Sequence, residues 1–392
     1  MSQHKSSLDR RSFLTTIAAG GAIAASVAAP KVSAATSGRK IKMGLIGCGS
    51  VSGAYLPDMH ACPYIDLVSV CDIIPQRAQD AAKKWNVPNS YPSIEKQLAG
   101  ADFEVLINLT PMLVHYPINK QALLAGKKVW CEKPATQTIP EYEELIELAH
   151  KKNLALWPSP TVVTSPQFKY MADAIARGDI GRLTAAHAFY GHEGNFTWAT
   201  WFLKQGGGSL YDLGVYNVGT LTGLLGPVES VVGYADTDVK ERIAMGNMEK
   251  VESDDNTMLI MRHRSGVLSH IQTGYNYFEG VDHRDGSSQD YTIDVFGKDG
   301  TMHMAGYNWE PKGIDVVNKS DRKVHRYSTE PGKYKWQYGA SYIAECLATD
   351  TPIIIRAEHG LHILEVMNAC LESSRTGRRV KVNSNFKWPV FA

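Results

Sequence analysis

Two groups of residues in this chain have the types and spacing needed for chemistry. In the first, Gly47, Cys48, Gly49, Ser50 and Val51 make a glycine-rich turn directly after the apolar run 41–46 and ahead of a stretch able to form a helix. Such a turn can bring a pyrophosphate against a helix N-terminus. Gly47 permits the tight bend, Gly49 leaves room for the anion, and Ser52 takes the third, close-packing position where glycine is usual. Asp72 ends the next apolar run 23 residues after Gly49, where its carboxylate can accept hydrogen bonds from both hydroxyls of an adenosine ribose. The same charge repels a phosphate on that ribose, so NAD is expected in preference to NADP, and Arg77 is the nearby residue that argues the other way. Asn108, Thr110, Pro111 and His115 follow a further apolar run and would line the nicotinamide side of the same crevice. The competing reading is a turn that serves strand-to-helix geometry alone, with Asp72 capping the next helix and His115 structural.

The second group begins with Cys131-Glu132-Lys133-Pro134, after the apolar run 128–130. Pro134 constrains the backbone and Glu132 can orient Lys133, which falls where a parallel sheet presents its carboxyl edge to ligands. Glu132 and Lys133 are therefore candidates to touch the cofactor, and Lys133 to meet the substrate as well. Farther on, Gly206-Gly207-Gly208 leads into a helical stretch carrying Asp212 and Tyr216 at i and i+4, so both side chains can point one way. Each has a plainer alternative: a helix N-terminal charge for Asp212, a packed aromatic for Tyr216 and a solvated strand-end cation for Lys133.

Positioning these residues requires an alternation of strands and helices. Strand-like runs at 41–46, 67–71, 103–108 and 128–131 are separated by helical stretches at 75–85, 114–125 and 141–152, a βαβ pattern. The expected fold class is α/β: an N-terminal Rossmann dinucleotide-binding domain, then a C-terminal α+β domain built on a largely antiparallel sheet. The first domain is expected over 35–159, ending where the apolar run 154–160 meets Pro158 and Pro160. After a helix at 166–175, strands at 183–190, 228–234, 258–261, 267–273 and 291–296 follow one another without long crossovers, which predicts antiparallel pairing. This substrate and oligomerisation domain is expected over 160–379, closed by helices at 342–347 and 359–374. The tail 380–392 is either an ordered edge or a loose terminus.

The chain has 392 residues, 44% hydrophobic and 21% charged, enough apolar material for sizeable cores. With 41 Lys+Arg against 40 Asp+Glu and no long basic block, nucleic acid is not an expected partner. The local imbalance lies at the start. A basic stretch ending in Arg10-Arg11 runs into an uncharged Ala/Gly-rich segment and then Val32-Ser33-Ala34, which fits a cleavage site. Arg10-Arg11-Ser12-Phe13-Leu14 resembles a twin-arginine export signal, implying passage through the twin-arginine translocation machinery to a periplasmic or otherwise external location. An ordinary secretory signal or a retained anchor is the alternative. The six cysteines are scattered, read as small buried thiols, and have neither a disulfide-framework nor a zinc spacing; no metal is expected.

The glycine turn, Asn108 to Pro111 with His115, Glu132-Lys133-Pro134 and the glycine run with Asp212 occur in an order that resembles the Gfo/Idh/MocA oxidoreductase family over most of 41–382. Within it the pattern is similar to glucose-fructose oxidoreductase, which shares the export signal and a tyrosine at the position of Tyr216, where many relatives carry histidine. Asp72 departs from that enzyme's phosphate-tolerant pocket. The resemblance implies a sugar or polyol between Lys133, Asp212 and Tyr216, with Tyr216 as acid/base. Lys133 would stabilise the alkoxide-like transition state and lower the proton affinity of the tyrosine, and Asp212 would bind a sugar hydroxyl or tune Lys133. It also places Trp198 near the sugar, though Ala199 stands where the family usually has arginine, with Lys204 as a possible charge substitute. A tightly retained NAD, recycled between two substrates, would suit an exported enzyme, and a homodimer or homotetramer is implied. NAD-assisted glycoside cleavage is the alternative activity, and a noncatalytic sugar sensor is the alternative outside enzymes.

Overall fold

The computed structural model describes residues 38–194, 196–197, 199–277, 291–327 and 334–391. The expected export segment 1–34, Trp198 and the clustered His283, Arg284 and Asp285, which the sequence offers as a candidate loop for substrate contact, lie outside the described residues.

The first layer is a six-stranded parallel sheet made of β1 (Ile41–Ile46), β2 (Ile65–Cys71), β3 (Asn89–Tyr91), β4 (Val105–Asn108), β5 (Lys128–Cys131) and β6 (Leu156–Pro158). Its order is β3-β2-β1-β4-β5-β6, with every neighbouring pair parallel. Chain order reverses at β1, so a crevice opens beyond the carboxyl ends of β1 and β4, the place where such sheets take ligands. The crossovers are α1 (Ser52–Ala61), α2 (Pro75–Trp85), α3 (Ile94–Gly100), α4 (His115–Leu124) and α5 (Ile139–Lys151). The apolar run 154–160 supplies β6, which pairs with β5, and β3 was too short to stand out as a periodic run.

After α6 (Pro166–Arg177), the second layer is a nine-stranded sheet ordered β16-β15-β14-β13-β7-β12-β11-β8-β17. Its strands are β7 (Leu183–Gly191), β8 (Val228–Asp236), β11 (Asn256–His263), β12 (Leu268–Gly274), β13 (Tyr291–Gly297), β14 (Gly300–Ala305), β15 (Gly313–Asn318), β16 (Val324–Tyr327) and β17 (Val380–Lys381). All neighbours are antiparallel except β7 and β12. The hairpin β9 (Glu241–Ala244) and β10 (Asn247–Lys250) stands apart. The tail is an ordered edge at its start, where β17 pairs with β8.

Helices α7 (Val215–Leu225) and α9 (Ala357–Thr376) cover one face of this sheet. All eleven residues of α7 are buried, as its apolar character on every side requires. On the other face Val232, Tyr234, Met258, Ile260 and Leu268 are exposed. Helix α8 (Gly339–Ala348) returns to the first sheet, packing on α1 and β1, with Ser341 Oγ donating to Asp58 Oδ2 at 2.5 Å. All six cysteines are unpaired, and Cys71, Cys131, Cys346 and Cys370 are buried. Among the described residues no helix is long and apolar enough to cross a membrane.

Candidate active site

The turn after β1 has the backbone that glycine permits. Gly47 has φ +93°, and a Cβ there would lie 2.6 Å from the Leu109 carbonyl carbon, so the turn presses against the loop after β4. Above Gly49 the space is open, and no side chain caps the N-terminus of α1. Asp72, at the end of β2, accepts the Cys48 amide on Oδ2 and the Ile74 amide on Oδ1, both at 2.8 Å. The carboxylate thus joins the glycine turn to the start of α2, and each oxygen keeps a lone pair for a further donor such as a ribose hydroxyl. Cys48 gives its thiol hydrogen to the Cys71 carbonyl at 3.5 Å, and burial pushes the thiol up to about 12. Ser50 is exposed and Val51 half-buried beside it. Arg77 is exposed on α2. Ile73 and Ile74, 86% and 44% exposed beside Asp72, offer apolar surface to a planar base. Open space over Gly49, an uncapped helix start, a carboxylate with spare lone pairs and exposed isoleucines together fit a dinucleotide. Sequence reasoning missed the two isoleucines, whose signal was an apolar pair beyond the strand end.

Asn108 and His115 hold this crevice from behind. Asn108 is fully buried, gives Nδ2 to Asn119 Oδ1 at 2.9 Å, and accepts the Thr110 amide and hydroxyl at 3.2 and 2.6 Å. His115 is buried between the Pro134 and Thr110 carbonyls, 2.7 Å from each. Burial lowers its pKa, although both carbonyls act the other way. These two side chains spend their polar atoms inside the protein, leaving half-buried Thr110 and exposed Pro111 as the surface toward the crevice.

At the end of β5, Glu132 is 7% exposed; it accepts the Lys133 amide at 2.8 Å on Oε2 and the hydroxyl of buried Tyr55 on Oε1. Lys133 reaches across to the second layer, where Nζ donates to Asp212 Oδ1 and to the Asp212 carbonyl, each at 2.8 Å. The Lys133 and Asp212 side chains are only 9% and 16% exposed. The same ammonium sits 5.2 Å from the centre of the Tyr216 ring. Lys133, Asp212 and Tyr216 are therefore brought together, as the family resemblance implied.

The local reason is a π-helical turn, Leu210–Gly214, leading straight into α7. Asp254 anchors its start, with Oδ2 accepting Ser209 Oγ at 2.7 Å, the Leu210 amide at 2.9 Å and Thr257 Oγ1 at 2.9 Å. Gly208, at φ +101°, makes room, since a Cβ there would lie 2.1 Å from Asp254 Oδ1. Buried Tyr275, just past β12, places its hydroxyl 3.1 Å from both Asp212 Oδ2 and the Gly208 carbonyl. Burial pushes the Tyr216 phenol well above its ordinary value, and the Glu132 charge adds to this. That is opposite to the lowering expected from Lys133, whose ammonium lies over the ring and gives two of its hydrogens to Asp212. Lys204 is paired with Glu249 at 2.7 Å. Tyr55, Asp254 and Tyr275 were not legible as site residues, because their partners are far away in the chain.

A family model described as "Oxidoreductase family, NAD-binding Rossmann fold" matches residues 41–159, and one described as "GFO/IDH/MocA C-terminal domain" matches 168–303. The chain belongs to the Gfo/Idh/MocA family. Among similar members, mouse trans-1,2-dihydrobenzene-1,2-diol dehydrogenase is 26% identical over 347 residues, covering 86% of this chain and 96% of its own. The 1,5-anhydro-D-fructose reductase of Ensifer adhaerens is 27% identical over 239 residues, 60% of this chain and 69% of its own. A levoglucosan dehydrogenase solved with NADH superposes with a TM-score of 0.78 at 20% identity, covering 88% of this chain and all of that one. Family and fold agree on an NAD(P)-dependent oxidoreductase.

Proposed function

We propose that this protein is an NAD-dependent dehydrogenase or reductase that moves a hydride to or from a carbon of a sugar or polyol. The observation that carries this reading is the Lys133 ammonium, tied to Asp212 by two hydrogen bonds and seated over Tyr216 at the mouth of a dinucleotide crevice. The nicotinamide of a bound cofactor supplies the acceptor or donor of the hydride. In oxidation the substrate C–H bond breaks with both electrons leaving on hydrogen, the hydroxyl proton passes to Tyr216 in its deprotonated form, and a carbonyl forms. In reduction Tyr216 returns that proton to the carbonyl oxygen. Lys133 keeps a third N–H with which to stabilise negative charge on the same oxygen, and Asp212 fixes where that N–H points. Because burial holds the Tyr216 proton firmly, the resting site at neutral pH is set to donate it, and oxidation should accelerate as pH rises.

Relatives named as 1,5-anhydro-D-fructose reductase and as levoglucosan dehydrogenase, the latter solved with NADH and levoglucosan, support the substrate class. Asp72 supports NAD over NADP, because its carboxylate would face a ribose phosphate. The Arg10-Arg11 segment supports export of the folded protein with its cofactor retained, and recycling between two sugars would then spare it from free NAD. The exposed apolar side chains on the open face of the second sheet support a homo-oligomer.

The test is anaerobic incubation of the purified protein with a panel of sugars and polyols, following nicotinamide absorbance and product mass. A sugar-dependent absorbance change with a product two hydrogens lighter or heavier is expected. No change with any member of the panel would sink the proposal, and glycoside cleavage without net redox change would replace it with the hydrolase reading.

A further inference from the structure

Lys133 lies between two carboxylates, and each is held by the hydroxyl of a tyrosine that belongs to neither chemical cluster of the sequence. On one side Glu132 takes the Lys133 amide on Oε2 and the Tyr55 hydroxyl on Oε1. On the other, Asp212 takes the Lys133 ammonium on Oδ1 and faces the Tyr275 hydroxyl with Oδ2. Both tyrosines are fully buried. The Tyr55 ring is wedged 5.2 Å from Trp130 and 5.4 Å from Trp336, and the Tyr275 ring meets Phe196 edge-on at 4.9 Å. Neither hydroxyl oxygen can therefore leave its place without moving an aromatic cluster.

We infer that Tyr55 and Tyr275 are positioning residues for the reaction, Tyr55 fixing the backbone of Lys133 through Glu132 and Tyr275 fixing its ammonium through Asp212. This rests on the reading of Lys133 as the residue that meets the substrate oxygen. Tyr55 stands in the first turn of α1, directly after the glycine turn, so its bond ties the cofactor's seat to the catalytic lysine. Tyr275 stands just past a strand of the second sheet, so its bond ties the lysine to the opposite layer. A buried carboxylate oxygen that loses its donor turns toward whatever donor remains, and a lysine bonded to that carboxylate moves with it. The two should differ in weight. Tyr275 has a single hydroxyl hydrogen to share between Asp212 and the Gly208 carbonyl, whereas Tyr55 gives its hydrogen to Glu132 alone.

Phenylalanine keeps each ring and removes only the hydroxyl. Tyr55→Phe is expected to lower kcat by about 10- to 100-fold while the sugar KM and NADH affinity stay within about twofold, because misplacement of a reacting group acts on the chemical step. Tyr275→Phe should cost less, about 3- to 10-fold in kcat, given the shared hydrogen. Tyr55→Phe added to Glu132→Gln should cost nothing further, since the effect passes through the carboxylate. A loss that multiplies in the double variant, or an unchanged kcat in Tyr55→Phe, would overturn the assignment. A second readout needs no substrate. In protein labelled with 15N at lysine Nζ, the Lys133 signal, assigned by its loss in Lys133→Arg, should broaden or shift in both phenylalanine variants. Unaltered signals overturn the inference even if the wild type turns over sugar. Altered signals in a protein that turns over no sugar leave the positioning intact and remove only the proposed reaction.

Discussion

Glu132 and Lys133 are neighbours in sequence and share one strand end, whereas Asp212 reaches the same ammonium from a π-helical turn held by a carboxylate in a distant loop. The parallel sheet delivers its functional groups at the carboxyl ends of consecutive strands, so each arrives with a short local pattern beside it. The antiparallel layer delivers Asp212 and Tyr216 through long-range support from Asp254 and Tyr275, which no local pattern marks. The lesson is that the cofactor half of the site is encoded by turns and the substrate half by packing, and the two halves should fail differently when broken.

The hardest break is at their junction. Lys133→Met removes the charge while keeping the length of the side chain, and should lower kcat by about 10²- to 10³-fold, the usual loss when a donor to a developing oxyanion disappears. NADH affinity, followed by fluorescence, should change little. If NADH binding fell in step with kcat, Lys133 would belong to the cofactor half alone. Tyr216→Phe should cost a comparable factor, as loss of a general acid does, and should also remove the rise of oxidation rate with pH.

Two glycines sharpen the comparison because each is conformationally required, one in each half. Gly47→Ala would force a side chain at φ +93° against Leu109 backbone, and Gly208→Ala would do the same at φ +101° against Asp254. Each strained position should cost about 1–3 kcal/mol of stability. Their functional outcomes should separate: Gly47→Ala loses NADH binding, while Gly208→Ala keeps it and loses about 10-fold or more in kcat by displacing Asp212. Calorimetry of NADH binding beside steady-state kinetics decides this, and identical profiles for the two variants would contradict the division.

The same contrast explains how much of the molecule could be read from its sequence. The βαβ alternation, the glycine turn, Asp72, Lys133 and the pairing of Asp212 with Tyr216 were legible because period, turn chemistry and i, i+4 spacing act within a few residues. The strands β14 to β16 were not, since short antiparallel strands acquire their identity from partners. Nor was the role of Asn108 as a support for the turns, and a structural His115 was legible only as an alternative, because a side chain's partners depend on which loops the fold brings above it. Tyr55 was half legible: Ser52, Tyr55, Leu56 and Met59 form the buried stripe of α1, which puts a phenol in a core position without naming its acceptor.

Acid should separate the halves in stability. His263, His359 and His362 all belong to the second layer, and burial lowers them to about 4, 3 and 4 from an ordinary 6.5. His362 accepts the Val228 amide on Nε2 at 2.9 Å, a bond that only an unprotonated nitrogen can make. The unfolded chain therefore binds more protons than the folded one below about 6.5. Stability is full above that pH and falls as pH drops toward 4, by roughly 1 kcal/mol per pH unit for each histidine. Urea unfolding between pH 7 and 4 checks the slope, and hydrogen exchange should show α9 and β11 opening before the parallel sheet. His362→Gln should flatten the slope, and an unchanged slope would mean that the acid-labile groups lie elsewhere.

The smallest expected effect bears on Asp72, a residue of the cofactor half with two separable roles. Asp72 accepts two amides, so its charge organises the turn, and in the proposed NAD complex it would also face a ribose. Asp72→Asn keeps one acceptor oxygen and replaces the other with an NH2 group directed at an amide donor. NADH affinity should fall about 10-fold, the weight of one charged hydrogen bond. The two roles predict different results with NADPH. If the carboxylate repels the extra phosphate, Asp72→Asn should bind NADPH better than the wild type does even as NADH binding weakens. If it acts only by holding Cys48 and Ile74, affinity for both dinucleotides should fall together, and the preference for NAD would have to come from the shape of the pocket around Ile73 and Ile74.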